Sequence, residues 1–189
     1  MVTHQRQPTM NRFLLRAAMA LSLAPCLLNA QAQPGHAHVH GQVKLDVAID
    51  VRAITIHVDS PLDSIVGFER APRTDAERKT AQQALAQLRA AGKLFAIDPA
   101  AACTLSQVDL DAPALGLGDA PPGQAPGHGD LEGNIVFECR SPVQARFIDV
   151  ALFDAFPAIR QIDVQIATPD GQHQRTLKRP TGRLSWGRQ

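Results

Sequence analysis

The chain has 189 residues, the length of one ordinary domain. Its first 32 residues hold three of the 19 basic residues and none of the 18 acidic ones. The other 157 residues (189 − 32) therefore carry 16 basic (19 − 3) and 18 acidic residues, which gives them a net charge of −2. This mildly acidic balance, with no Tyr and one Trp, argues against nonspecific nucleic-acid binding and base-stacking platforms, and the 44% apolar content excludes global disorder.

The N-terminal segment, residues 1–32, predicts a cleaved export signal. Arg12 and Arg16 precede a short apolar run that ends in Ala-Gln-Ala at Ala32. A basic flank, a short apolar core and an Ala-x-Ala site are the parts of a secretory signal, so we expect cleavage after Ala32. The run is shorter than the roughly 20 residues that span a bilayer. The sequence therefore predicts a periplasmic protein without a membrane span.

Alternating apolar and polar residues predict an antiparallel hairpin of two strands, over residues 42–51 and 54–58. After it, Thr74 and Glu77 have the spacing of a capping box, and apolar residues follow at helical spacing. We expect a helix from this box to Gly92 and no other convincing helix after the export signal.

Further strands are predicted downstream of the helix. The segment between two of them, residues 111–130, is rich in Pro and Gly, a composition typical of a long flexible loop. The resulting fold class is α+β, mainly antiparallel sheets arranged like a sandwich with one principal packed helix, in a single domain over 42–189. The strands are expected at 103–110, 134–139, 147–156, 162–166, 172–177 and 183–186.

Cys26 lies in the predicted export signal, so cleavage would leave two cysteines, Cys103 and Cys139. In an oxidising compartment two cysteines most simply form one disulfide. The alternatives are a cysteine-ligated metal or a reactive thiol, and neither has a Cys-x-x-Cys spacing behind it.

The sharpest chemical feature is the run of His36, His38 and His40, in a histidine-rich N-terminal segment over residues 33–41 that precedes the domain. In an extended chain, residues two apart in sequence point to the same face, with their Cα atoms about 6.6 Å apart. The imidazoles of neighbouring histidines in this run can therefore converge on one ion. We expect two of the three to bind with a ligand from elsewhere, or all three if the segment bends. Zn²⁺ is the preferred ion, followed by Cu²⁺ or Ni²⁺. The competing interpretation is a polar N-terminal segment that binds metal only incidentally.

Other candidate ligands are weaker. His128 follows the Pro/Gly-rich stretch and could supply a fourth ligand if this loop folds over the N-terminal histidines, whereas the alternative is a solvated loop histidine. His57 and His173 have the pattern of surface histidines. Glu69 is expected to pair with Arg70 or to cap local backbone rather than to bind metal.

Motifs for catalysis are missing from the sequence. It contains no Gly-x-Ser-x-Gly nucleophile elbow, no His-Glu-x-x-His zinc motif and no glycine-rich phosphate loop between a strand and a helix. We therefore expect that the protein is not an enzyme.

The order and spacing of several segments resemble the ZrgA-like family of exported bacterial zinc-binding proteins. The matching segments cover most of the chain from His36 to Trp186, and they are HAHVHG, SPLDSIVGFERAP, TDAERKTAQQALAQLRAAGKLF, AACTLSQVDL, IVFECRSP and LFDAFPAIRQIDVQI.

The resemblance implies a periplasmic zinc-binding protein that is linked to zinc uptake and passes the ion toward an importer or its binding protein. It also implies that His36, His38 and His40 match the family's N-terminal histidine motif. Two features depart from the family, because Arg70 stands where relatives often have a histidine, and the central loop keeps only His128. The alternative function is a non-catalytic β-rich interaction module of the cell envelope, with incidental metal binding.

Overall fold

The computed structural model describes residues 39–119 and 129–187. The predicted export signal and the candidate ligands His36, His38 and His128 lie outside the described residues. Of the four predicted metal ligands, the structure therefore places His40.

The predicted hairpin is present and lies at the centre of the larger sheet. Strand β1 (Gln42–Ile49) pairs with β2 (Ala53–Pro61) in antiparallel register. On both strands every second side chain is buried, beginning with Val43 and Ile54. The alternation in the sequence thus sets which face of the hairpin enters the core.

Six strands form this larger sheet, in the order β4-β5-β2-β1-β7-β8. All neighbours pair antiparallel except β1 and β7, which run parallel. The four outer strands are β4 (Cys103–Asp111), β5 (Asp130–Cys139), β7 (Gln161–Thr168) and β8 (Gly171–Lys178).

Three short strands form a second sheet, and three α-helices complete the described fold. The sheet has the order β3-β6-β9, with β3 (Phe95–Ile97), β6 (Phe147–Val150) and β9 (Arg183–Ser185). The helices are α1 (Leu62–Val66), α2 (Asp75–Arg89) and α3 (Leu152–Ala155). Side chains from both sheets and from α2 join one hydrophobic core. The predicted α+β, mainly antiparallel, two-sheet fold is confirmed.

The principal helix starts as predicted. The Thr74 side chain accepts a hydrogen bond from the Glu77 backbone, and the Glu77 carboxylate accepts one from the Thr74 backbone. This reciprocal pair satisfies two donors that the first helical turn leaves open. The helix ends at Arg89, before the expected Gly92, because the chain tightens there into a short 3₁₀ turn.

Three local predictions need correction. The strand expected over 147–156 ends at Val150, and α3 follows it. Helix α1 has only five residues, too few to show a helical period in the sequence. The segment expected to be a loop from residue 111 starts with a closed turn, in which the fully buried Ala112 bridges to Leu117.

The disulfide prediction is confirmed, because Cys103 and Cys139 are bonded. They face each other at the first residue of β4 and the last residue of β5. In the part of the chain that the structure describes, no helix is long and apolar enough to cross a membrane.

Candidate metal centre

His40 lies on a turn that leads into β1. The Gln42 backbone N–H donates to the Val39 carbonyl at 2.9 Å, which closes the turn. Gly41 has a φ of +78°, and a Cβ atom there would lie 2.6 Å from Nε of Arg160. Glycine is therefore the residue that this turn accommodates.

Two carboxylates reach the same place from the segment that follows β2. Asp63 lies in the first turn of α1. Gly67 caps the end of the helix, where its φ of +85° reverses the chain and its N–H donates to the Asp63 carbonyl at 2.8 Å. This reversal carries Glu69 back alongside the first turn of α1.

The three side chains meet as a compact cluster. Nδ1 of His40 contacts Oδ2 of Asp63 and lies 3.5 Å from Oε1 of Glu69. One ligand atom from each residue lies within 4.8 Å of the other two. The His40 side chain is 66% exposed, and the two carboxylates are 24% and 20% exposed, so the cluster is open to solvent on the histidine side.

Hydrogen bonds hold the turn from two sides, and the one from Gly41 to Ser64 of α1 is buried. Oγ of Ser64 accepts the Gly41 N–H at 2.9 Å, and its hydroxyl donates to Oδ1 of Asp63 at 3.3 Å. From the other side, Arg160 donates its backbone N–H to the Gly41 carbonyl at 2.7 Å and a guanidinium N–H to the His40 carbonyl. Ser64 therefore links the histidine turn and one carboxylate through a single hydroxyl, which we call the Ser64 latch.

The carboxylates change the acid–base properties of the imidazole. The hydrogen bond to Asp63, with the charges of Asp63 and Glu69, raises the pKa of His40 above its usual value. A positive charge at Nδ1 is thus favoured at this point. A divalent cation that replaces the Nδ1 proton meets the same two carboxylates.

The spacing of His40 and Glu69 fits a zinc ion, and the hydrogen bond between His40 and Asp63 must open to admit it. Ligand atoms at about 2.1 Å from a tetrahedral ion lie about 3.4 Å from one another, close to the 3.5 Å that separates His40 Nδ1 from Glu69 Oε1. One imidazole nitrogen and two carboxylate oxygens are all ligands that zinc accepts. Three protein ligands leave one tetrahedral position for another ligand, as in zinc sites that exchange what they bind.

Of the two partners expected for Glu69, Arg70 is not one, so this part of the prediction is wrong, whereas the alternative, a cap on local backbone, stays a prediction. Arg70 donates instead to both carboxylate oxygens of Glu77, at 2.7 and 3.1 Å, and its guanidinium lies 5.6 Å from the Phe68 ring centroid. This pairing, together with the backbone N–H groups of Arg73 and Thr74, lowers the pKa of Glu77 to about 2. Because Arg70 turns toward α2, Glu69 faces His40.

The end of the central loop is anchored beside the cluster. The Gly129 carbonyl accepts the Leu62 N–H at 2.8 Å at the start of α1. A Cβ on Gly129 would lie 2.6 Å from the Glu69 carbonyl oxygen. His128, the residue before Gly129, lies outside the described residues, and its role as a ligand stays a prediction.

The remaining described histidines lie apart from this cluster. His57 is on β2, opposite Asp46 of β1 and Asn134 of β5. His173 is on β8, at one edge of the larger sheet. Across the described residues, the cluster of His40 is the one group of three metal-binding side chains.

Sequence reasoning missed both carboxylates of the cluster. Asp63 and Glu69 belong to the segment SPLDSIVGFERAP, which carried the family resemblance but contains no recognisable ligand spacing. Their proximity to His40 depends on the hairpin register and on the chain reversal at Gly67. One signal was available in the sequence. Because the predicted hairpin is antiparallel, the residues that follow Pro61 return to the start of β1, where His40 lies.

A family model matches most of the chain. The family model described as "ZrgA family zinc uptake protein" matches residues 37–186. No curated protein matches the chain significantly. The matched range includes His40, Asp63 and Glu69, together with both cysteines of the disulfide.

Proposed function

The chain belongs to the ZrgA family of zinc uptake proteins, and we propose that it is a periplasmic protein that captures zinc at the His40–Asp63–Glu69 cluster and passes it toward an importer. The observation that carries the proposal is the approach of three ligand atoms from two separate segments to within 4.8 Å. Zinc is the cargo in this proposal, and the protein performs no chemistry on it.

The ligand set suits capture followed by release. The two carboxylates neutralise the charge of Zn²⁺, and the imidazole supplies the nitrogen that zinc prefers over Mg²⁺ or Ca²⁺. His40 is 66% exposed, so a partner's ligand can reach the ion while it is still bound. Structural zinc sites are instead closed by four protein ligands.

The proposed location is supported by two features. Residues 1–32 have the pattern of a cleaved export signal. The Cys103–Cys139 disulfide is of a kind that persists in oxidising compartments such as the periplasm.

The test is a zinc competition assay on the mature chain, residues 33–189, freed of metal and titrated at pH 7.5 against a chromophoric chelator. His40→Ala, Asp63→Ala and Glu69→Ala should each weaken zinc binding by about tenfold or more, since each removes one ligand of the ion. His57→Ala and His173→Ala are matched controls that should bind zinc like the wild type.

Two more variants test the histidines outside the described residues. A His36→Ala, His38→Ala double variant and a His128→Ala variant measure whether these residues complete the zinc shell, as the sequence predicts. Wild-type affinity in all three cluster variants would contradict the proposed site. Binding weaker than tens of micromolar in the wild type would favour an interaction module instead.

A further inference from the structure

The cluster forms one wall of a hollow that is much larger than a metal ion. The hollow has a volume of about 520 Å³, and Phe68, Arg70 and Arg73 also line it. Pockets of roughly 300–1,000 Å³ accommodate small organic molecules. A zinc ion on the cluster would leave most of this space for another molecule.

The two arginines of the hollow differ in their pairing. The Arg70 guanidinium is already paired, because both its terminal nitrogens donate to the Glu77 carboxylate. Arg73 uses its backbone N–H for Glu77. Among the residues that the structure describes, the Arg73 guanidinium has no hydrogen-bond or ion-pair partner, and its side chain is exposed at the rim of the hollow.

Zinc makes the hollow more positive. Asp63 and Glu69 carry two negative charges, Arg73 and the neighbouring Arg160 carry two positive charges, and Arg70 and Glu77 cancel. With a neutral His40 the metal-free site therefore has a net charge of about zero, whereas a bound Zn²⁺ changes it to about +2. Zinc binding thus strengthens the attraction of the hollow for an anion.

We propose, on the basis of the function proposed above, that this hollow binds zinc together with a small di- or tricarboxylate, one carboxylate on the ion and another on Arg73. One carboxylate occupies the tetrahedral position that the three cluster ligands leave open, or a fifth position on the ion where a histidine already fills the fourth. The second pairs with a guanidinium, whose planar fork matches a carboxylate. The substrate of the protein is then a zinc–carboxylate complex rather than the hydrated ion alone.

The test uses malonate as the probe, because it is a weak chelator, and isothermal titration of the mature chain in carboxylate-free buffer. Malonate should bind the zinc-loaded protein and not the metal-free protein. Arg73→Gln should weaken malonate binding about tenfold, the value of one charge-assisted contact. Its zinc affinity without malonate should stay within about twofold of the wild type, since Arg73 is not a zinc ligand.

Arg78→Gln is the matched control. Arg78 is also exposed and near the start of α2, but it pairs with Asp75 and does not line the hollow. It should bind malonate like the wild type. With cobalt in place of zinc, malonate should also shift the visible absorption spectrum, because a carboxylate enters the metal shell.

Two results would overturn the inference. One is a zinc-loaded wild type that does not bind malonate, and the other is an Arg73→Gln variant that binds it as tightly as the wild type. Both leave the proposed function standing. Failure of the protein to bind zinc in carboxylate-free buffer would instead overturn the proposed function, and this inference with it.

Discussion

Oε1 of Glu69 lies 3.5 Å from Nδ1 of His40, although one residue follows α1 and the other precedes β1. The β1–β2 hairpin makes this possible, because its two strands run antiparallel and return the chain to its starting edge. The zinc site proposed here is therefore a product of the hairpin register, and it forms only when the domain is folded.

The first prediction concerns the imidazole. Because the carboxylates raise the pKa of His40, its protonated form contributes stability below the ordinary pKa of about 6.5, and this contribution is lost as pH rises through the higher folded-state value. Zinc must displace the same proton from His40. As the solution is acidified, zinc affinity should therefore begin to fall while the pH is still above about 6.5.

The measurement is an NMR titration of His40 in the metal-free protein. Asp63→Asn should lower the pKa of His40, because Asp63 is its hydrogen-bond partner. Asp46→Asn, on the β1 strand opposite His57, is the control and should leave it unchanged. An ordinary or lowered pKa for His40 in the wild type would contradict the geometry of the cluster.

The second prediction concerns the Ser64 latch. Ser64→Ala removes the acceptor of the buried Gly41 N–H, and an unpaired buried donor costs about 1–3 kcal/mol. The free energy of unfolding should fall by about this amount, and zinc affinity should fall by roughly three- to tenfold because the His40 turn is no longer held to α1. Urea unfolding and the chelator competition measure the two effects.

Ser60→Ala is a matched control for the latch. Ser60 is equally buried, but its hydroxyl donates to the carbonyl of the neighbouring Pro61. Its replacement should leave zinc affinity unchanged. Equal zinc affinities for Ser64→Ala and the wild type would show that the latch does not organise the site.

The third prediction concerns Gly41. Gly41→Ala places a Cβ against Arg160 at a positive φ, so the domain should lose roughly 2–4 kcal/mol of stability from backbone strain and steric clash. Gly116→Ala has nearly the same φ of +79° with open space around the new Cβ, and it should lose only about 1–2 kcal/mol. Similar losses in the two variants, measured by urea unfolding, would argue against a close approach at Gly41.

The fourth prediction separates stability from zinc binding. The ten residues of β5 span about 30 Å. Cys139 is the last residue of this strand, whereas Gly129, which lies beside the metal cluster, comes just before its first residue. A Cys103→Ser, Cys139→Ser double variant should therefore lose about 2–4 kcal/mol of stability and keep wild-type zinc affinity. A large loss of affinity in a variant that is still folded would show that the disulfide supports the metal site.

Local patterns in the sequence predicted most of the fold. Alternation located β1 and β2, the Thr74–Glu77 box located the start of α2, and the cysteine count suggested the disulfide. The parallel pairing of β1 with β7 could not be predicted in this way, because it joins distant segments and leaves no local pattern. For the same reason the sequence yielded only the histidine of the described cluster.

Arg70 stands at the position where the resemblance leads us to expect a histidine. An arginine at this position pairs with Glu77 of α2 rather than with Glu69. Arg70 thus ties the segment between α1 and α2 to the first turn of α2. The carboxylate of Glu69 keeps its place beside His40 as a result.

The most direct test of the central claim is anomalous diffraction at the zinc absorption edge from crystals of the zinc-loaded mature protein. We predict an anomalous peak about 2.0–2.2 Å from a ring nitrogen of His40 and from carboxylate oxygens of Asp63 and Glu69. A peak at another site, with these three side chains free of metal, would contradict the account.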